Sequence, residues 1–237
     1  MDSLLLLGFF IGMRHAVEAD HIAAVASLVN GDQSLKQIIQ QGSVWGIGHT
    51  ITLFLFGSIV ISMDTIIPES FAMGLEMAVG VMLIMLGADV LLRIKKNKIH
   101  FHSHQHDNGN VHFHVHSHKG ESQPRHELSA HKHQHPQIFP LRALMIGMMH
   151  GMAGSAAVIL LALGTVTTPQ QGMLYILIFG LGSIAGMALL SMIICIPIRF
   201  SSRQPIFSYQ LFQTVLGVLT IGLGVFVINE NSAVLLI

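Results

Sequence analysis

Within eight consecutive residues, Arg14-His15-Ala16-Val17-Glu18-Ala19-Asp20-His21, the chain carries two imidazoles, two carboxylates and one guanidinium. Imidazole nitrogen and carboxylate oxygen are donors that suit divalent first-row metals. Cys195 is the single cysteine, so neither an intrachain disulfide nor a thiolate set for a soft ion can form. On a straight helix, His15, Glu18 and His21 point to about 0°, 300° and 240°, whereas Asp20 points to about 140°. The two histidines would also stand about 9 Å apart along the axis. Bringing all four groups to one ion therefore needs a broken helix, for which Gly12 is a candidate hinge. Otherwise Asp20 is a partner that orients an imidazole. The competing reading is a salt-bridged structural knot, with Arg14 offsetting one carboxylate.

Two further histidines stand alone among small residues. His49 belongs to Trp45-Gly46-Ile47-Gly48-His49-Thr50, and His150 opens His150-Gly151-Met152-Ala153-Gly154-Ser155. Glycines at such spacing let helix backbones approach closely. The candidate metal set is thus His15, Glu18, Asp20, His21, His49 and His150, with a packing role as the alternative for the last two. Glu76 and Asp89 lie nearer the ends of their apolar run and rank behind these.

Twelve of the sixteen histidines fall in one polar stretch: His100, His102, His104, His106, His112, His114, His116, His118, His126, His131, His133 and His135. Ile99-His-Phe-His-Ser-His-Gln-His recurs as Val111-His-Phe-His-Val-His-Ser-His. In an extended chain each copy sets four imidazoles on one face, and Asn108-Gly109 suits a turn between two strands. Composition marks this segment as metal-binding, disordered without metal and partly ordered with it. A solubilising linker is the bland alternative.

The elements that must position these groups follow from hydropathy. The chain is 51% hydrophobic and 10% Asp, Glu, Lys and Arg, against roughly 25% charged in a soluble domain. Six apolar runs, at 4–29, 43–62, 71–92, 141–163, 173–196 and 207–228, are each long enough to cross about 30 Å of hydrocarbon. The expected fold is an all-α polytopic membrane protein of six spans. The first run lacks a basic n-region and continues into the polar patch, so it is expected to stay in the mature chain. Apart from Arg14, every Lys and Arg falls on the side of the membrane that holds the histidine loop, while the other side has Asp2, Asp64, Glu69 and Glu230. The positive-inside rule places the loop in the cytoplasm and both termini outside, in a plasma membrane. Equal numbers of basic and acidic residues, 12 each, give no field that favours nucleic acid.

Weak internal matches divide the chain. Ile11-Gly12-Met13-Arg14-His15 resembles Ile146-Gly147-Met148-Met149-His150, and Gly46-Ile47-Gly48-His49 resembles Gly180-Leu181-Gly182-Ser183. Gly80-Val81, Leu86 and Gly87 recur as Gly217-Val218, Leu223 and Gly224, which sets Gln213 opposite Glu76. The offsets are 135, 134 and 137. An odd number of spans per repeat inverts the second copy, an arrangement typical of secondary transporters with a site at the repeat interface. The expected organisation is a three-helix repeat at 1–93, a cytoplasmic metal-binding loop at 94–139 and a second repeat at 140–237. Duplication of a packing unit without retained function is the competing reading.

The segment from Arg14 to Ile22 resembles the signature of the nickel/cobalt transporter family, whose hallmark is His-x4-Asp-His. Ile47-Gly48-His49-Thr50 is similar to that family's glycine-histidine motif, and 147–156 looks like the shorter branch that includes the membrane protein encoded with some ureases. The resemblance implies transport of Ni²⁺ or Co²⁺ as substrate, with His15, Asp20, His21 and His49 in the path and no prosthetic group. Glu18 stands where long-form members carry Asp, and those members have eight spans. The expected partners are the bilayer, the metal ion and metalloenzyme maturation proteins. A membrane metallochaperone or sensor that delivers nickel to an enzyme assembly is the alternative. No enzymatic activity is expected: there is no Walker A sequence, and Glu18-Ala19-Asp20-His21 does not follow the His-Glu-x-x-His order of a zinc hydrolase.

Overall fold

The structure, a computed structural model, describes residues 2–29, 33–63, 68–96, 100–105, 111–116, 140–154, 168–202 and 206–235. Among these residues the helices are α1 (Asp2–His15), α2 (Ala19–Leu28), α3 (Leu35–Met63), α4 (Glu69–Lys96), α5 (Leu141–Ala153), α6 (Pro169–Ser202) and α7 (Ile206–Leu235). Two strands, β1 (His100–Gln105) and β2 (Val111–His116), lie between α4 and α5 and pair antiparallel.

Four helices, α3, α4, α6 and α7, are long and apolar enough to cross a membrane. Their outward positions fit lipid rather than water: Met85, Leu219 and Ile196 are all at least 65% exposed. A water-soluble protein rarely shows so much contiguous apolar surface. The chain is a helical membrane protein.

The second, third, fifth and sixth apolar runs each fall within one of these helices. The first is broken. It forms α1 and α2, of 14 and 10 residues, and at 1.5 Å per residue each covers only about 21 and 15 Å. The Val17 and Glu18 amides donate to the Arg14 and His15 carbonyls at 2.9 and 3.1 Å, closing α1 with tight turns. Glu18 is then extended (φ −67°, ψ 151°) before its carbonyl accepts from the Ile22 amide and α2 begins. Neither proline nor glycine stands at the break, and Gly12 lies inside α1. The basic residues Arg14 and His15 occupy the last turn of α1, and Asp20 occupies the first turn of α2. Both placements suit the helix dipoles. The fourth run is α5 up to Ala153, and its remainder from Ser155 lies outside the described residues.

Packing is pairwise. α1 lies on α6, α5 on α3, α3 on α6 and α4 on α7, with α2 set against α7, α4 and α6. Two close approaches hold the site region. A Cβ on Gly12 would run into the Phe179 carbonyl of α6, and one on Gly147 would run into the Trp45 carbonyl of α3. Buried hydroxyls bond carbonyls across the same contacts, Ser183 to Gly12 at 3.2 Å and Thr52 to Met148 at 3.0 Å, and Thr50 of α3 bonds Gly180 of α6 at 3.0 Å. Trp45, Leu83, Met187 and Ile198 belong to the main apolar cluster between the helices. Near the loop end, Asp89 of α4 pairs with Arg93 on its own helix and with Arg142 of α5, the latter at 2.7 Å. The strand register is His100↔His116, Phe101↔Val115, His102↔His114, Ser103↔Phe113, His104↔His112 and Gln105↔Val111. His106, the Asn108-Gly109 turn, His118, His126, His131, His133 and His135 lie outside the described residues.

Candidate metal centre

The break between α1 and α2 folds His21 back over His15. Their ring centroids are 4.6 Å apart, about half the axial separation that a straight helix imposes. His49, near the middle of α3, lies 5.2 Å from the His15 ring and 5.5 Å from the His21 ring. His150, in the last turn of α5, lies 4.8 Å from His21. His21, His49 and His150 are buried, and His15 is 11% exposed at its side chain. Four imidazoles from α1, α2, α3 and α5 therefore meet inside the helix bundle.

The hydrogen bonds divide three of the four rings into a tethered and a free nitrogen. His15 Nδ1 is 2.8 Å from Glu18 Oε1, and His21 Nδ1 is 2.9 Å from Asp20 Oδ1. His150 Nδ1 is 3.3 Å from the Ile146 carbonyl. A carboxylate or carbonyl accepts, so in each pair the ring N–H donates from Nδ1 and Nε2 keeps its lone pair. Nε2 of His15, His21 and His150, and both nitrogens of His49, are buried without a hydrogen-bond partner. Orphaned buried polar atoms are costly in a protein interior. Their convergence here is the pattern of metal-binding histidines whose other nitrogen is held by a carboxylate or carbonyl.

Two donor groupings result, His15 with His21 and His49, and Asp20 with His21 and His150, each with atoms within 4.8 Å of one another. Nitrogens on opposite sides of one ion stand about 4.2 Å apart. Ligands around one tetrahedral ion stand closer still, about 3.4 Å apart, so either group would contract on binding. His21 is common to both groups, so they form two adjoining positions. Asp20 has a double placement, bonding His21 through Oδ1 and facing His150 Nε2 at 3.5 Å through Oδ2. Glu18 belongs to neither grouping and meets His15 instead.

A cavity of about 890 Å³ leads to the cluster, lined by Arg14, His15, Glu18, Asp20, His21, Glu76 and His150 among others. It reaches Glu76 and Val79 in the first half of α4 and Val227 in the second half of α7, the halves away from the hairpin. His49 is not part of its lining and closes the cluster from behind. Sequence reading ranked Glu76 low, yet its carboxylate shares this cavity. It also passed over Trp45, whose ring lies 5.4 Å from His21 and 5.5 Å from His150. The signal for Trp45 is slight: it is the single tryptophan, four residues before His49. Asp89 lies outside the cavity lining, in its pairs with Arg93 and Arg142.

The chain is 36% identical over 202 residues to the urease accessory protein UreH of Bacillus sp. (strain TB-90), an alignment that covers 85% of this chain and 80% of that protein. No family model matches the chain. No solved structure matches it either. Similarity of that extent and coverage makes the chain a member of the family of the urease accessory protein UreH.

Proposed function

We propose that the chain carries divalent transition-metal ions, nickel or cobalt, across the plasma membrane through the histidine cluster. The observation that carries this reading is the convergence of unpartnered buried imidazole nitrogens from four helices at the inner end of an open cavity. Neutral imidazoles supply the bonds, while Glu18 and Asp20 supply two negative charges that balance a divalent ion where water is scarce. Nitrogen-rich donors without thiolate favour nickel and cobalt over magnesium or calcium. The relative's name joins it to urease, a nickel enzyme. Sharing His21 between adjoining groupings lets an ion pass from one to the other without losing all its ligands, and protonation of an imidazole would release it.

The architecture proposed for this task is two inverted three-helix repeats, at 1–93 and 140–237, joined by the cytoplasmic loop at 94–139. The close approaches support it, because they map onto one another under the sequence offsets. Gly12 against Phe179 corresponds to Gly147 against Trp45, and Gly48 against Leu144 corresponds to Gly182 against Phe9. The contact of Gly80 with Gly224 corresponds to that of Gly217 with Gly87. Symmetry is imperfect at the site. Ser183 takes the position matching His49 and bonds the Gly12 carbonyl, so one repeat uses for packing what the other uses for a ligand.

In sealed vesicles of known protein orientation, the wild-type chain should show saturable nickel flux that the His15→Ala/His21→Ala protein lacks. Equal flux in the two would end this reading and return the motif to a structural role. The second reading, a membrane metallochaperone or sensor for an enzyme assembly, draws on the accessory role named for the relative. Complete loss of flux on deleting 100–135, with normal membrane insertion, would favour it.

A further inference from the structure

Between residues 70 and 88 of α4, Glu76 is the single ionisable side chain. It stands about 10 Å in from the first residue of the helix, within a stretch long and apolar enough to cross a membrane. A carboxylate at that depth is costly unless it meets a partner, water or an ion. Among the described residues Glu76 has neither an ion pair nor a hydrogen bond, and it lines the cavity. The two other carboxylates of that lining are engaged, Glu18 with His15 and Asp20 with His21, and Arg14 adds one positive charge. His21 and His150, each 2% exposed and each with an unpartnered Nε2, line the same cavity.

We propose that Glu76 is the capture residue of this cavity, holding the incoming divalent ion with its water shell intact before the imidazoles displace that water. At about 30 Å³ per water, a six-water shell takes about 180 Å³, so a cavity of about 890 Å³ admits the hydrated ion. Glu76 belongs to neither donor grouping, which makes it a charge on the way in and not a ligand of the final position. A charge so placed raises the rate of entry and leaves the residence time alone. The sequence offset of 137 sets Gln213 opposite Glu76. Gln213 is buried, and its amide donates to the Tyr209 hydroxyl at 3.4 Å. The matching position in the second half of the chain is therefore neutral, and capture acts from the Glu76 side. The inference rests on the metal-handling part of the proposed function, and not on transport.

Trp45 is the single tryptophan, and its ring lies 5.4 Å from His21 and 5.5 Å from His150, so a paramagnetic ion on the cluster quenches its fluorescence. When the full-length protein in detergent is mixed with excess nickel chloride by stopped flow, the rate of quenching reports arrival at the cluster. Recovery after an EDTA chase reports departure. A cleft lined by one charge sign speeds arrival by about 10- to 1000-fold. With that gain shared among the three lining carboxylates, Glu76→Gln should slow arrival by about 2- to 10-fold, flatten its dependence on sodium chloride and leave departure unchanged. Glu76→Asp, which keeps the charge, should show the wild-type rate. So should Glu230→Gln, which removes the same charge from α7 outside the cavity lining. Equal arrival rates in the wild type and Glu76→Gln would overturn the proposal, as would equal slowing by Glu230→Gln or Glu76→Asp. Faster departure from Glu76→Gln, the mark of a lost ligand, would overturn it too. A wild-type arrival rate indifferent to sodium chloride would do so without any variant. A wild-type protein that shows no quenching would remove the metal centre and this proposal together, whereas absence of nickel flux would remove the transport reading alone and leave the rate comparison as it is.

Discussion

Asp20 and His21 are neighbours in the chain with different duties, and the difference is measurable. His21 belongs to both donor groupings and keeps an unpartnered Nε2, while Asp20 meets the His21 ring at Nδ1. In a protein lacking 100–135, where the loop histidines cannot mask the result, Asp20→Asn should weaken nickel binding by about 10- to 100-fold while leaving it saturable. His21→Ala should abolish saturable binding, because it takes a ligand from both positions. Calorimetric titration distinguishes the two, and identical losses would make Asp20 a direct ligand of equal weight. Residue types and spacing single out His15, Glu18, Asp20 and His21, and the angular mismatch of Asp20 on a straight helix leaves it either a ligand or the group that orients an imidazole. His49 and His150 were candidates by type, but the contacts that bring them to His15 and His21 lie between separate helices, which spacing alone does not give.

At the scale of elements, the long apolar runs announced α3, α4, α6 and α7, because a continuous lipid-facing surface leaves its mark in composition. The break after His15 had no such mark. Helix breaks are usually traced to proline or glycine, whereas here the chain turns at Ala16, Val17 and Glu18 through backbone bonds to the Arg14 and His15 carbonyls. Packing of α5 on α3 depends on Gly147, where an added Cβ would meet the Trp45 carbonyl. Gly147→Val should destabilise the protein by about 1–3 kcal/mol and displace His150, lowering both the thermal midpoint in detergent and nickel affinity. Gly74 in α4 has open space around it. Gly74→Ala should therefore raise the midpoint slightly, as helix propensity alone dictates. A fall as large as that of Gly147→Val would mean that the thermal readout does not report helix packing. The pair between Asp89 and Arg142 is partly exposed, so Arg142→Gln should change stability by less than about 1 kcal/mol.

Over the whole molecule, charge and cavity bear on which side of the membrane is which. The proposed repeat shows in sequence only as three short matches, because apolar helices reuse Gly, Leu and Met. Paired glycine contacts carry more weight, since each is set by two backbones at once. The cavity lies along the halves of α4 and α7 remote from the hairpin, nearer the connections that carry acidic and no basic residues. A mouth on that side draws cations from outside if the positive-inside rule holds for this chain. With Cys195 replaced, single cysteines at Ser3 and Ser117 test it through a membrane-impermeant thiol reagent applied to intact cells. Only Ser3→Cys should label. Labelling of Ser117→Cys alone would put the histidine loop outside and open the cavity to the cytoplasm, reversing the direction in which the acidic mouth gathers ions. It would leave the arrangement of His15, His21, His49 and His150 untouched, because their contacts depend on helix packing and not on which face meets the cytoplasm.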